Sequence, residues 1–298
     1  MKRVVLAAAL VLGVSGLAFA HFPPGVTYPI FQFPDELRPT IDGDLSDWDI
    51  VPEAYTIPID LMGERLAGMT EPDYEDFNCW LKLGWNKSDN KLYVASWTYD
   101  NVHLVPRPSG EITLMWRQDD FEIMTDMDHS GGQYKGWTAE QIPDEEERKL
   151  AEGRQAQQYA CAYPQADGVY AVSFDYATWT TEAPYWEAGF TFDGTLNGPG
   201  TTTYEVRMTT WDEMIYYGPD QSTEHKFKEG EIVGLQFSYG DFDDPENPKQ
   251  YHAFWTVSHQ DATFKFAERF CDFLVAPLEV KPPAVEANTW GRIKASFE

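Results

Sequence analysis

The sequence predicts an all-β protein: an antiparallel β-sandwich of jelly-roll type with one inserted surface helix. Short segments rich in aromatic and β-branched residues recur from residue 78 onward, which is typical of strands. Clusters of Gly, Pro, Asn and Asp separate these segments and mark turns. Helix chemistry is confined to one short acidic segment, so the core must be built from sheets.

Two segments show the strand pattern most clearly. Residues 91–100 carry apolar groups on both alternating faces, which favours a central strand covered on both sides. Residues 121–127 alternate more strictly, with Phe121, Ile123 and Met127 on one face. The other predicted strands are 79–85, 112–116, 159–163, 169–176, 188–193, 201–211, 231–240, 250–258, 271–276 and 290–297.

Residues 143–157 are predicted to form the inserted helix. Pro143 occupies a favourable first helical position. Carboxylates follow at once, where the positive end of the helix dipole stabilises negative charge. This charge run predicts a solvated helix face rather than a binding site.

The first twenty residues predict export. Lys2 and Arg3 precede an apolar run over residues 4–17, and small residues then stand at the two positions that a signal peptidase reads. A retained membrane anchor would need a longer apolar run, of about 20 residues. We therefore expect cleavage after Ala20, a secreted or periplasmic protein, and a single domain over residues 21–298.

The charge balance restricts the partners. Acidic residues number 49 against 22 basic ones, for a net charge of −27, so the chain repels phosphate backbones and anionic lipids. No stretch after the leader is long and apolar enough to insert into a bilayer. Nucleic acid and membrane are therefore excluded as expected partners, whereas neutral ligands and divalent cations are compatible with this charge.

Three cysteines form an odd set for an exported protein. At most one disulfide can form within the chain, and the sequence does not determine which pair of Cys79, Cys161 and Cys271 would make it. The alternative is that all three are small buried residues.

Four passages occur in an order that is known from one family. The first, 39–48, is an Ile-Asp-Gly turn followed by an acid and a Trp; the second, 116–126, joins a Trp and a Gln-Asp pair to a strand. The third combines 204–211 with 233–237, and the fourth is 290–293. Together they resemble the family 9 carbohydrate-binding modules, β-sandwiches attached to secreted xylan-degrading enzymes. The resemblance implies non-catalytic binding of a plant-type or other polysaccharide or oligosaccharide, and structural calcium.

The resemblance also indicates where a sugar would bind. A sugar offers an apolar C–H face and a rim of hydroxyls, so its site needs flat aromatic surfaces beside polar groups. That family uses two aromatic planes. Trp116 matches the first, and Phe264 or Phe266 stands where the second is expected. The expected polar contacts are Arg117, Gln118, Asp119 and Asp120.

Two further points bear on this site. Trp is highly buried on average, so Trp116 as a core residue is the alternative. Residues 52–79 and 129–158 are longer than the family pattern.

Acidic groups near turns suggest calcium, which takes several oxygen ligands from flexible loops. The metal-ligating candidates are Asp42, Asp44 and Asp47 in one group and Asp126 and Asp128 in another, with Asp241, Asp243 and Asp244 as a third cluster. None matches a helix–loop–helix calcium motif, and solvated turn carboxylates are the alternative.

No catalytic motif is recognisable. The sequence has no Gly-x-Ser-x-Gly elbow, no His-Glu-x-x-His and no phosphate loop. Acids are too abundant for any pair to indicate glycoside hydrolysis. We therefore expect a recognition protein of carbohydrate catabolism that acts alone, as a capture protein, or in a protein complex at the cell surface.

One alternative is a copper-dependent polysaccharide monooxygenase. Cleavage after Ala20 would make His21 the first residue, and its amine and imidazole could chelate copper together with a second histidine. The candidates for that second histidine are His103, His129, His225, His252 and His259. Nothing else in the sequence resembles those enzymes.

A second alternative is a haem-binding sandwich of the same fold. It would use a methionine with a histidine or lysine as axial ligands, and the candidates are Met115, Met124, Met127, Met208 and Met214. No Cys-x-x-Cys-His motif for covalent haem is present, and methionines in strands commonly fill cores.

Overall fold

The structure is a computed structural model that describes residues 21–247 and 250–279. The predicted signal peptide, the predicted strand 290–297 and the passage 290–293 lie outside the described residues. Within the described ranges no helix is long and apolar enough to cross a membrane.

Strands dominate the described residues. They are β1 (Thr27–Gln32), β2 (Ile57–Pro58), β3 (Gly63–Glu64), β4 (Phe77–Asn86), β5 (Lys91–Asp100), β6 (Asp120–Asp126), β7 (Gln157–Cys161), β8 (Ala171–Ser173), β9 (Trp186–Gly194), β10 (Gly200–Met208), β11 (Trp211–Glu213), β12 (Thr223–Glu224), β13 (Ile232–Asp241), β14 (Ala253–Thr256) and β15 (Cys271–Val275). The α-helix α1 is Glu145–Ala151, and 3₁₀ turns occupy Asp35–Leu37, Leu45–Ile50, Glu53–Tyr55, Ile59–Leu61, Ile112–Leu114, Thr178–Thr181, Pro219–Gln221 and Ala267–Arg269.

Thirteen of the strands form two sheets that share β1, and β11 and β12 pair separately with each other. One sheet has the order β8-β7-β6-β13-β15-β1, with β14 paired to β13 and β3 paired to β14, and we call it the front sheet. The other has the order β1-β4-β5-β10-β9, with β2 beside β4, and is the back sheet. β1 pairs first with β15 and then with β4, both in parallel, whereas the other described pairs are antiparallel. The sandwich is therefore as predicted, except that its shared strand is parallel to its neighbours.

The main core lies between the sheets and follows the two-residue period of the strands. Alternate residues of each strand point to opposite faces, so each strand contributes every second side chain to the core. Phe121 and Ile123 of β6 in the front sheet share this core with Leu92 and Val94 of β5 in the back sheet. The remaining inward residues of the long strands are Phe77, Cys79, Leu81, Leu83, Trp85, Tyr204, Val206, Met208, Val233, Leu235, Phe237 and Tyr239.

The outer face of the front sheet is covered as well. Met124 of β6 points outward and packs with Tyr134, Ala156, Ala267 and Phe270. These partners come from segments around residues 129–156 and 262–270. The first of these segments is the stretch that is longer than the family pattern.

Several local predictions were wrong. The predicted strand 112–116 is absent: Ile112–Leu114 form a 3₁₀ turn, because backbone hydrogen bonds close locally, as from Leu114 N–H to the Glu111 carbonyl. β1 was missed: it contains Pro29, which cannot donate to a ladder. Only 145–151 of the predicted helix 143–157 is helical, and the Asp144 side chain caps its start by accepting from Glu147 N–H. The three cysteines are buried and free, as the alternative interpretation expected.

The Ile-Asp-Gly turn is attached to the back sheet through one buried carboxylate. Glu205 of β10 accepts the backbone N–H groups of Asp42 and Gly43, each at 3.0 Å. It also accepts the indole N–H of Trp48 at 2.9 Å. Gly43 is required here, since its φ is +87° and a Cβ would lie 2.9 Å from Thr191 Cγ2. The first family-like passage, 39–48, is therefore anchored to the back sheet by these hydrogen bonds.

We expect Glu205→Gln to lower the free energy of unfolding by about 2 kcal/mol, because an amide nitrogen would then face groups that can only donate. Urea unfolding followed by tryptophan fluorescence measures the loss. Glu187→Gln, on the exposed side of the adjacent strand β9, is the control and should stay within about 0.5 kcal/mol of the parent. Equal losses in the two variants would contradict this role for Glu205.

Candidate functional site

An open cavity of about 450 Å³ lies against the outer face of the front sheet. Its floor is formed by side chains that point away from the main core: Glu122 of β6, Gln158 of β7 and Phe254 of β14. Their chain neighbours Phe121, Tyr159 and Trp255 belong to the core. Strand alternation therefore decides which residues reach the cavity. We call it the outer cavity.

Aromatic rings form much of its wall. Trp116, Phe174, Tyr251 and Phe264 all contribute to the lining. Trp116 is only partly buried, and Phe264 is 54% exposed. The Trp116 and Tyr251 rings are nearly parallel, with 21° between their planes and 6.5 Å between their centroids. The Arg117 guanidinium lies 4.6 Å from the Trp116 ring centroid. The wall thus offers flat apolar surface to solvent.

The floor also carries polar groups. Gln158 donates to Glu122 Oε1 at 3.2 Å and accepts from Lys135 Nζ at 2.9 Å. Burial raises the pKa of Glu122 to about 7, against the opposing effects of Lys135 and the Gln158 hydrogen bond. Arg65, Asp261 and Thr263 add further polar groups to the lining. Hydrogen-bond donors and acceptors therefore lie beside the aromatic wall.

The structure brings together some of the predicted sugar contacts. Trp116 and Phe264 line the same cavity although they are far apart in the chain. Arg117 stacks on Trp116 without lining the cavity itself. Phe266 lies outside the lining, where its ring contacts Lys265 and Arg269.

The other predicted polar contacts point elsewhere. Gln118, Asp119 and Asp120 are buried and do not line the cavity. Gln118 Oε1 accepts from Arg107 N–H at 3.2 Å. Asp119 accepts the backbone N–H groups of Leu104 and Phe242. Nearness to Trp116 in the sequence does not place a side chain in the cavity, because the residues that line it come from distant strands and loops.

The predicted calcium ligands near the chain start are engaged in turns. The carboxylates of Asp42, Asp44 and Asp47 accept the backbone N–H groups of Asp44, Ser46 and Thr40, respectively. Asp126 accepts Gly131 N–H at 2.8 Å, and Asp128 accepts Ser130 N–H at 3.1 Å. Neither group converges on a shared point in the described residues.

The third acidic group does converge. Asp241 and Asp243 meet Asp100 of β5, and carboxylate oxygens of the three lie within 4.8 Å of one another. Burial raises the pKa of Asp241 to about 10, with a further contribution from Asp100. One oxygen of Asp100 and one of Asp241 are buried with no hydrogen-bond partner in the described residues. His252 Nδ1 lies 3.1 Å from Asp243, whereas no basic side chain of the described residues pairs with Asp100 or Asp241.

The methionines considered for haem are all buried. Met127 and Met208 belong to the main core, and Met115, Met124 and Met214 belong to smaller hydrophobic clusters. These methionines pack against other side chains in the interior.

No protein-family model matches the chain, and no curated protein matches it. Among solved structures it is similar to a family 9 carbohydrate-binding module from Caldicellulosiruptor kristjanssonii in complex with glucose, at 15% identity and a TM-score of 0.51. That match covers 88% of this chain and 100% of the other. The cellotriose complex of such a module from the same organism gives 16% identity and a TM-score of 0.50, covering 85% and 100%. These similarities confirm the predicted β-sandwich fold.

We expect the stability difference between Glu122→Gln and the parent protein to depend on pH. The pKa of Glu122 is raised from 4.5 to about 7, so its contribution to stability is present below pH 4.5 and lost as pH rises through 7. The glutamine variant avoids this loss and should gain up to about 3 kcal/mol relative to the parent between pH 4 and pH 8. Urea unfolding at several pH values measures it. If the free energies of unfolding of the two proteins changed with pH in parallel, the raised pKa of Glu122 would be contradicted.

Proposed function

We propose that this protein binds a neutral carbohydrate, without transforming it, in the outer cavity. The observation that carries the proposal is the convergence of Trp116 and Phe264 on one cavity whose floor presents Glu122, Lys135 and Gln158. A sugar needs an aromatic surface for its C–H face and polar groups for its hydroxyls, and the cavity offers both. Its volume of about 450 Å³ falls in the range of small-molecule sites, about 300–1,000 Å³.

Two further observations support this ligand class. The similar solved structures hold glucose and cellotriose, and they share the fold of this chain. The net charge of −27 disfavours anionic polysaccharides, because a strongly acidic protein repels them. In this proposal Trp116 and Phe264 supply the stacking surfaces, and the Glu122–Gln158–Lys135 chain supplies donors and acceptors.

The proposal includes export. The leader predicted over residues 1–20 would direct the chain out of the cytoplasm, where it would meet polysaccharide. Mass spectrometry of the exported protein tests this, since cleavage after Ala20 leaves His21 at the N-terminus.

We also propose that Asp100, Asp241 and Asp243 hold a structural calcium ion. Calcium takes several carboxylate oxygens, and a divalent cation would compensate the charge of this buried cluster. The two partnerless oxygens of Asp100 and Asp241 support this proposal. The ion would tie the end of β5 to the end of β13, joining the two sheets at one end of the sandwich.

Trp116→Ala and Phe264→Ala should each weaken sugar binding about tenfold, because each removes an aromatic contact together with its buried area. A glycan array identifies the sugar, and calorimetry with that sugar measures the affinity. Tyr217→Ala removes an equally exposed aromatic ring outside the cavity and is the matched control. Binding that survives both cavity substitutions unchanged would refute the site.

Asp241→Asn should separate the effect of calcium from the effect of charge. In the presence of a calcium chelator, the free energy of unfolding of the variant should exceed that of the parent by more than about 1 kcal/mol. The reason is that the variant lacks a carboxyl group whose ionisation is opposed by burial and by Asp100. Added calcium should raise the melting temperature of the parent but not of Asp241→Asn. Asp44→Asn should keep the full calcium response, because its side chain caps a turn. An undiminished response in Asp241→Asn would contradict the assignment.

A further inference from the structure

A second cluster of metal-ligating groups lies on the front sheet, outside the lining of the outer cavity. His21 Nδ1 is 2.5 Å from His129 Nε2, and both nitrogens are 2.9 Å from Asp272 Oδ1. The His21 residue is 4% exposed, while His129 and Asp272 are partly exposed. Three potential ligand atoms thus meet at one point that is open to solvent on one side.

The register of the front sheet positions the carboxylates of this cluster. Asp272 of β15 and Asp126 of β6 stand opposite Gly234 of β13 on either side, so the two carboxylates and the glycine share the outer face. The His21 ring lies over Gly234, where a Cβ would be 3.2 Å from His21 Nε2. The backbone N–H of Phe22 donates to the Phe270 carbonyl at 2.7 Å and fixes the approach of the chain.

The turn after β6 supplies the second histidine. His129 has a φ of +57°, which is uncommon for a residue other than glycine. Asp126 holds this turn by accepting Gly131 N–H. The same carboxylate lies 3.7 Å from His21 Nε2, the ring nitrogen that faces away from the cluster. Metal-binding histidines commonly donate this second N–H to a carboxylate. Here Nε2 is buried without a hydrogen-bond partner in the described residues, and Asp126 is the carboxylate beside it.

Protons alone cannot satisfy this triangle of atoms. Each imidazole nitrogen has one in-plane position, which holds either an N–H or a lone pair. If both nitrogens donate to Asp272, two hydrogen-bearing nitrogens are held only 2.5 Å apart. If one nitrogen donates to the other, its single N–H is used there, and neither nitrogen donates to Asp272. A cation that accepts all three lone pairs removes the conflict.

We propose that His21, His129 and Asp272 bind one late first-row transition-metal ion, Zn²⁺ or Cu²⁺. Two imidazoles and a carboxylate suit these ions, whereas calcium takes oxygen ligands. Tetrahedral ligation at about 2.0–2.1 Å separates ligand atoms by about 3.3 Å, so each of the three atoms would move outward by about 0.3 Å. Cleavage after Ala20, as the sequence predicts, would add the amine of His21 as a further nitrogen donor.

Other histidines of the described residues are arranged differently. His252 contacts Asp76 through Nε2 and Asp243 through Nδ1. Ligand atoms of His252, Asp76 and Asp243 lie within 4.8 Å of one another, but the two contacts use different ring nitrogens, which point in different directions. His225 likewise uses Nδ1 for Asp212 and Nε2 for Glu231. The His21 cluster differs because one nitrogen from each of two rings meets the same oxygen.

Metal titration of the exported protein tests the proposal. Protein expressed with residues 1–20 in place, with its N-terminus determined by mass spectrometry, is stripped with EDTA and titrated with Zn²⁺ or Cu²⁺ by calorimetry. We expect one equivalent of one or both ions to bind, with no competition from millimolar Ca²⁺. The electron paramagnetic resonance spectrum of bound Cu²⁺ should show coupling to imidazole nitrogens.

Two variants tie the binding to this cluster. His129→Ala and Asp272→Asn should each weaken binding more than about tenfold, since even outer-shell substitutions cause such losses at metal sites. His259→Gln alters an exposed histidine outside the cluster and should bind as the parent does. Asp272→Asn preserves side-chain volume, and circular dichroism confirms folding. Absence of stoichiometric binding of both ions, or unchanged affinity in folded His129→Ala and Asp272→Asn, overturns the proposal.

Discussion

The packing of the two sheets through alternate side chains is the constraint on which the rest of this structure depends. Because Phe121 and Ile123 must enter the core, Glu122 between them must face outward. The same alternation turns Asp272 outward beside the buried Cys271 and Phe273. Both candidate sites are therefore the outer faces of strands whose inner faces are fixed by hydrophobic burial.

The second requirement is a cover for the outer face. The segment 129–156 packs Tyr134 against Met124 and Phe270, so the front sheet is buried on both sides. This segment also supplies Lys135 to the outer cavity and His129 to the histidine cluster. This segment, which is longer than the family pattern, thus both packs on the front sheet and contributes side chains to the two candidate sites.

The buried carboxylates of this protein differ in their hydrogen-bond environment. Acids outnumber bases by more than two to one, and several carboxylates are buried in the sandwich. At Glu205, two backbone N–H groups and the Trp48 indole N–H hydrogen-bond to the carboxylate without an ion and oppose the effect of burial, which raises its pKa. Where carboxylates face each other, as at Asp100 and Asp241, burial opposes ionisation and a divalent cation would relieve the repulsion. The surrounding hydrogen bonds, rather than the number of acids in a segment, distinguish the two cases.

The sequence alone determined the fold class and most strands, because the two-residue alternation and the turn residues are local signals. It also named Trp116, with Phe264 or Phe266 as the second aromatic plane, through the family resemblance. It could not determine that Gln118 and Asp119 point into the interior. Nor could it show that Glu122, Lys135 and Gln158 lie together, since the pairing of distant strands decides which side chains share a face. The meeting of His21, His129 and Asp272 was decided only by the tertiary structure. It depends on the register of β6, β13 and β15, which brings distant segments of the chain to one face of a sheet.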